Sequence, residues 1–180
     1  MEALDFLIKT VFKLYLIVMI LRFWLQAVRA DFYNPLSQFI VKVTNPIVKP
    51  LQTILPNVKN INIAALIAAI VVASAQFFVI ALVFSVPINP IGFVIGGVFF
   101  TLYWFLNVAM GALIIRAIIS WFSQGGYNPA EQILVQLTEP LVSPIRKVLP
   151  PMGGLDFSVL VAIIAIQFIQ LLLPNMFGGF

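Results

Sequence analysis

The stretch Arg22–Asn62 recurs as Arg116–Asp156 at a constant offset of 94 residues, with no insertion or deletion. Matched pairs include Arg22/Arg116, Tyr33/Tyr127, Asn34/Asn128, Pro35/Pro129, Thr44/Thr138, Pro46/Pro140, Pro50/Pro144, Leu55/Leu149 and Pro56/Pro150. Most are turn formers, helix caps or a cation, types that drift among apolar residues would not keep in register. A long apolar run follows each copy. The chain is therefore read as two copies of one unit, residues 1–94 and 95–180, with repeated loops at 29–60 and 123–156.

Apolar content decides what kind of unit this is. Hydrophobic residues make up 62% of the chain and charged residues 9%, far from the roughly 45–50% and about 25% of soluble domains. Crossing a bilayer core takes about 20 apolar residues in a helix. Leu4–Leu21, Ile61–Val86, Ile91–Ile115 and Phe157–Leu173 qualify, the first and last at the short end. The expected fold class is an all-α membrane protein with four transmembrane helices. The first span is read as retained, because Glu2 and Asp5 stand where a signal peptide has a positive head, and no cleavage site follows. Glu2, Asp5, Lys9 and Lys13 share one helical face, as a snorkelling interfacial turn or a polar seam.

Each repeat holds two spans, an even number, so both insert in the same orientation; inverted transporter repeats need an odd number. The loop after the first span carries Arg29, Lys42, Lys49 and Lys59 against Asp31. The loop after the third carries Arg146 and Lys147, whereas the Pro87–Pro90 link is uncharged. Lysine and arginine bias places both repeated loops in the cytoplasm, with Lys9 and Lys13 pulling the other way.

The loops have a helical pattern of their own. Leu36, Phe39, Ile40, Val43, Ile47 and Leu51 recur at three- or four-residue steps, as do Ile133, Leu134, Leu137, Leu141 and Ile145, opposite polar residues. Asn34-Pro35 and Asn128-Pro129 suit an N-cap followed by a first-turn proline. Pro46 and Pro140 read as second starts, Pro50 and Pro144 as breaks, and Pro56 and Pro150 as stops. Two short amphipathic helices per loop are expected, either covering the span ends or docking anionic lipid or a protein partner through Lys42, Lys49, Arg146 and Lys147.

Arg22 and Arg116 stand out. An arginine costs about 2.5–3.5 kcal/mol at a bilayer centre and much less where it can snorkel. Snorkelling does not require the same residue in both copies. A buried interaction would: a pair with Asp156 or Asn62, carbonyls freed at prolines, or a lipid or ligand. Gly92 and Gly96, with Gly97 adjacent, mark a close-packing helix face. Asn107 lies near mid-span at the place of Lys13, and Gln76 matches Gln170. Those glutamines are read as interhelical hydrogen-bond partners.

Arg22, Asp31-Phe32-Tyr33-Asn34-Pro35, Pro46-Ile47-Val48-Lys49-Pro50 and Leu55-Pro56, with Arg116, Asn128-Pro129, Glu139-Pro140-Leu141, Pro144–Pro150 and Gly153–Phe157, resemble the bacterial YggT family. Its relatives include the YlmG proteins of Gram-positive bacteria and plastids. The resemblance covers nearly the whole chain. In the first copy the glycine-acid ending reads Asn60-Ile61-Asn62, so a role for that acid rests on Asp156. The resemblance implies an inner-membrane protein without established catalytic residues. It also implies an association with osmotic or salt tolerance and, in plastid relatives, with cytochrome complex biogenesis and nucleoid or division organisation.

Without cysteine or histidine, thiolate nucleophiles, Cys/His zinc sites and His-ligated haem are excluded, and no acid lies mid-span for a proton relay. No enzyme and no cofactor are expected, since no nucleophile–base pair or metal set is present. The favoured reading is a scaffold or assembly factor holding a membrane or cytoplasmic protein, with anionic lipid but no nucleic acid as a direct contact. The alternative is a small ion conduit or regulator, built from several copies of the chain.

Overall fold

The computed structural model describes residues 2–57, 59–122, 128–149 and 157–177. Among them every regular element is helical, with no strand. The helices are α1 (Glu2–Ala27), α2 (Pro35–Gln52), α3 (Ile63–Phe84), α4 (Pro90–Phe122), α5 (Pro129–Val148) and α6 (Phe157–Phe177). Two of them, α3 and the Pro90–Ile119 portion of α4, are long and apolar enough to cross a membrane; Phe157–Leu173 is a shorter apolar stretch.

Contacts divide the chain into two compact units, and these are not the sequence repeats. The first comprises 1–27 and 39–105, the second 28–38 and 106–180. The boundary at 105/106 falls within α4, as the repeat boundary at 94/95 does, so α4 contributes to both units.

In the first unit α1 packs along α3. The buried side of α1 is Leu16, Met19, Ile20, Trp24 and Leu25, and it meets a face of α3 rich in small residues: Ala64, Ala65, Ala68, Ala69 and Ala73. Alanine lets the helices approach, and Leu16, Met19 and Ile20 supply the volume that fills the seam. A polar joint closes one end. Asn62 caps α3 by accepting from Ala65 N at 2.9 Å and donates its Nδ2 to Gln26 Oε1 at 2.8 Å, so the cap also ties α3 to α1.

The link into α4 is capped in the same economical way. Asn89 Oδ1 accepts from Gly92 N at 3.0 Å and Pro90 takes the first helical position, where its missing N–H costs nothing. Of the three glycines expected to pack, Gly97 makes the closest approach to another helix. A Cβ there would lie 3.0 Å from Ser74 N and 3.1 Å from Ile70 O on α3, both backbone atoms that cannot swing away. Gly96 meets the Phe77 ring, and Gly92 only its own Asn89 cap. Phe77–Phe100 and Trp24–Phe105 ring pairs continue the packing, with centroids 5.6 Å and 5.0 Å apart.

In the second unit α5 packs on α6, burying Ile133, Leu137, Thr138 and Val142 with Ser158, Val159, Ala162 and Ile166. The segment 28–38 is fastened here: Asp31 N donates to Gln136 Oε1 at 2.9 Å, and Asn34 Nδ2 to Pro129 O at 2.8 Å.

The amphipathic loops correct the sequence reading. Each is one continuous helix, with Pro46 and Pro50 inside α2 and Pro140 and Pro144 inside α5, not two short helices broken at the prolines. The reason is the face they occupy. Pro46 and Pro50 are four residues apart, both exposed, as are Pro140 and Pro144. Each pair frees carbonyls along one outward line, where they need no partner from the protein, and proline rings there bend a helix without breaking its inner ladder.

We expect Gly97→Ala to destabilise the protein by about 1–3 kcal/mol by overpacking α3 against α4. Gly111→Ala, with nothing within 4 Å of the added carbon, should be neutral or gain up to about 1 kcal/mol of helix propensity. Melting curves in detergent would show the two variants moving apart; equal shifts would contradict the packing described.

Candidate functional site

The polar chemistry of the chain gathers where the second helix of a repeat passes its arginine. In the second repeat Arg116 reaches from α4 to α5. Its Nη1 donates to Thr138 Oγ1 at 2.7 Å and its Nη2 to Glu139 Oε2 at 3.0 Å. Glu139 Oε1 in turn accepts from Arg146 Nη1 at 2.9 Å. One carboxylate is shared by two guanidinium groups, and the Arg116 side chain is only 15% exposed. Thr138 is prepared for its part, since its hydroxyl donates to Leu134 O at 2.6 Å and leaves its lone pairs to accept. Charge-assisted bonds of this kind are the stronger class, so the cluster clamps α5 to α4.

The first repeat keeps the arginine and the threonine but not the carboxylate. Thr44 is fully buried and donates to Ile40 O at 2.7 Å. At the positions of Glu139 and Arg146 stand Asn45 and Gln52. Arg22 Nε is buried with no hydrogen-bond partner. Neither repeat thus shows the arginine pairing with Asn62, which is engaged with Gln26 and Ala65; Asp156 lies outside the described residues.

Helix α2 itself has three sectors. Ser37, Ile40, Thr44 and Val48 form its buried line. A second sector is polar and exposed, with Gln38, Lys42 and Lys49. The third is apolar yet open: Leu36 is 42% and Phe39 61% exposed, with Val43 and Ile47 half-buried beside them. The residues that periodicity joins into one apolar face are thus divided between burial and exposure. On α5 the positions of Phe39 and Val43 are Ile133 and Leu137, and both are buried. Lys147 is exposed, while Arg146 is half-buried and held by Glu139.

The remaining polar candidates are scattered. Gln76 and Gln170 are buried, but Gln76 Oε1 and Gln170 Nε2 have no partner, so the interhelical bonds expected of these atoms are not made. Asn107 is half-buried on α4. Lys13 lies 5.3 Å from the centroid of the Trp104 ring, a cation–π contact that accommodates its charge within a helix. Lys9 pairs with Asp5 at 2.7 Å. Among the described residues no group of three or more His, Cys, Asp or Glu side chains could hold a metal ion.

Sequence reasoning passed over Glu139 and Thr138. Thr44/Thr138 was a visible repeat match, and Glu139 was the acid beside it. The pairing across 23 residues needed the fold.

A family model described as CCB3/YggT matches residues 1–83 and again 95–177. The chain belongs to the CCB3/YggT family. Within this family, a Vibrio alginolyticus protein described as an uncharacterized protein in the proC 3' region is 46% identical over 99% of this chain and 97% of its own. An uncharacterized Pseudomonas aeruginosa protein is 41% identical, over 96% of this chain and 89% of its own. The Escherichia coli protein YggT, likewise described as uncharacterized, is 40% identical over 95% of this chain and 89% of its own. No solved structure matches the chain. For this CCB3/YggT chain the repeated arginine, bonded in the second repeat and without a partner at Nε in the first, is the most developed polar site among the described residues.

Glu139→Gln should lower stability by about 1–2 kcal/mol, discounted for a carboxylate 39% exposed. A double-mutant cycle with Arg116→Gln should show coupling of about 1 kcal/mol, against less than about 0.5 kcal/mol for the exposed Lys9–Asp5 pair. Equal coupling in the two pairs would show that the cluster is no clamp.

Proposed function

We propose that the chain is a non-enzymatic, four-span protein of the bacterial inner membrane, acting as a scaffold or assembly factor through α2 and α5 on the cytoplasmic face. The spans are α1 and α3 in one repeat and α4 and α6 in the other, inserted in the same orientation. The three-sector build of α2 carries this reading. A helix that buries one line, opens a second apolar sector and turns Lys42 and Lys49 to a third fits a place in the headgroup region. There the open apolar sector faces acyl chains and the lysines face anionic headgroups and the cytoplasm. Lys9 and Lys13, which on their own draw the amino end inward, are accommodated by Asp5 and Trp104.

The scaffold reading is favoured over an ion conduit by the character of the polar residues. Gln76, Gln170 and Asn107 are single uncharged groups, too few to replace an ion's hydration shell along a path. The exposed lysines instead present a surface to a protein partner. The family resemblance adds osmotic or salt tolerance as the setting in which loss of the scaffold would be felt.

Lys42→Gln/Lys49→Gln/Lys147→Gln, leaving Arg146 to hold Glu139, should lose a stoichiometric crosslinked partner and salt tolerance at normal protein level. Asn107→Leu should keep both. Wild-type behaviour of the triple variant would end the scaffold reading, and an ion flux in liposomes lost with Asn107→Leu would replace it with the conduit.

A further inference from the structure

Charge is unevenly divided between the two units. The first holds Lys9, Lys13, Arg22, Lys42, Lys49 and Lys59 against only Glu2 and Asp5; the second balances four cations with four acids. The whole net charge of +4 therefore belongs to the first unit. Within it Asp5 is engaged by Lys9, and both acids lie at the amino-terminal end of α1, at least 17 residues from Arg22. That separation is about 25 Å along a helix. Among the described residues Arg22 has no ion-pair partner.

We infer that Arg22 anchors the phosphate of an anionic phospholipid, which fills in the first repeat the place that Glu139 fills in the second. The argument is one of equivalent positions. Arg22 matches Arg116 and Thr44 matches Thr138, but Asn45 replaces Glu139 and Gln52 replaces Arg146. Replacing the carboxylate with an amide changes what the position offers. Glu139 brings the acceptor that Arg116 needs, whereas Asn45 brings an Nδ2 donor in addition to those of Arg22. A guanidinium with a buried, unpartnered Nε and an amide donor at the acid's position call for an oxyanion from outside the chain.

That the oxyanion comes on a lipid follows from its surroundings, and here the inference rests on the proposed membrane placement. Tyr15 and Arg22, seven residues apart, lie on one face of α1. Tyr15 donates its hydroxyl to Val43 O at 3.4 Å, which sets that face beside α2 at Val43. Phe39, 61% exposed, and Ile47 stand there for acyl chains. Lys42 and Lys49 border the same helix, and basic residues near a membrane surface attract anionic lipid. Arg22 and Asn45 hold the positions that meet as Arg116 and Glu139 in the second repeat, and Phe39 offers an attached chain an apolar surface on the same helix α2, which a free phosphate leaves open.

The test installs the missing carboxylate. Wild-type protein, Asn45→Glu and Arg22→Gln are placed in phosphatidylcholine discs containing phosphatidylglycerol, exchanged into mild detergent, and weighed intact. Wild type should keep a phosphatidylglycerol molecule about tenfold more than either variant, about 1.4 kcal/mol of binding. Asn45→Glu should also melt no lower than wild type, because Arg22 then has its acceptor within the chain. Should Asn45→Glu fail to fold, Arg22→Gln carries the comparison. Equal retention in all three overturns the inference. Displacement of the lipid by inorganic phosphate overturns the lipid source in favour of the free anion. A stoichiometric polypeptide lost with Asn45→Glu overturns it in favour of a protein carboxylate. Protein that does not float with lipid overturns the membrane reading itself, whereas protein that floats but keeps no lipid overturns only the Arg22 site.

Discussion

A guanidinium set beside a helix in apolar surroundings must be given acceptors, because burying it unpaired costs several kcal/mol. The second repeat meets this requirement with Thr138 and Glu139, and in doing so fixes α5 across α4. Arg146 completes the neutralisation of Glu139 from the same helix. The position of the amphipathic helix against the apolar helix before it thus depends on one cation.

The two copies have diverged around that constraint. Asn45 and Gln52 stand in the first repeat where the second has Glu139 and Arg146, and the apolar sector buried on α5 at Ile133 and Leu137 is open on α2 at Phe39. The arginine is thus paired within the second copy and left without a bond at Nε in the first. The unbalanced cations lie on the same side of this difference, in the first unit.

Much of this was legible in the sequence wherever the signal was local. The repeat, the helices and the Asn-Pro starts of α2 and α5 could be read because caps and first-turn prolines act within a few residues. Pro46, Pro50, Pro140 and Pro144 misled because the breaker rule ignores which face a proline occupies. All four turn outward, where freed carbonyls need no protein partner. The apolar face of α2 misled for a different reason. Hydrophobic periodicity marks what leaves water, and on this helix it merges Ile40, buried against protein, with residues such as Phe39 that the protein leaves open. Glu139 escaped because acids near a membrane carry little topological weight, and its bond to Arg116 is a tertiary contact. Gln76 and Gln170 matched across copies, yet their buried unpartnered atoms show that a repeat match alone does not establish a hydrogen bond.

The arrangement stands or falls on both amphipathic helices lying on one side of the membrane and the Ser85–Pro90 link on the other. The chain has no cysteine, so single cysteines can report their side directly through a membrane-impermeant maleimide, applied to intact cells and to inverted vesicles. Lys42→Cys and Lys147→Cys should label only in inverted vesicles, Ile88→Cys only in cells, and Phe39→Cys in neither. Labelling of Lys42→Cys and Lys147→Cys from opposite sides, or of Ile88→Cys from the same side as either, would contradict it.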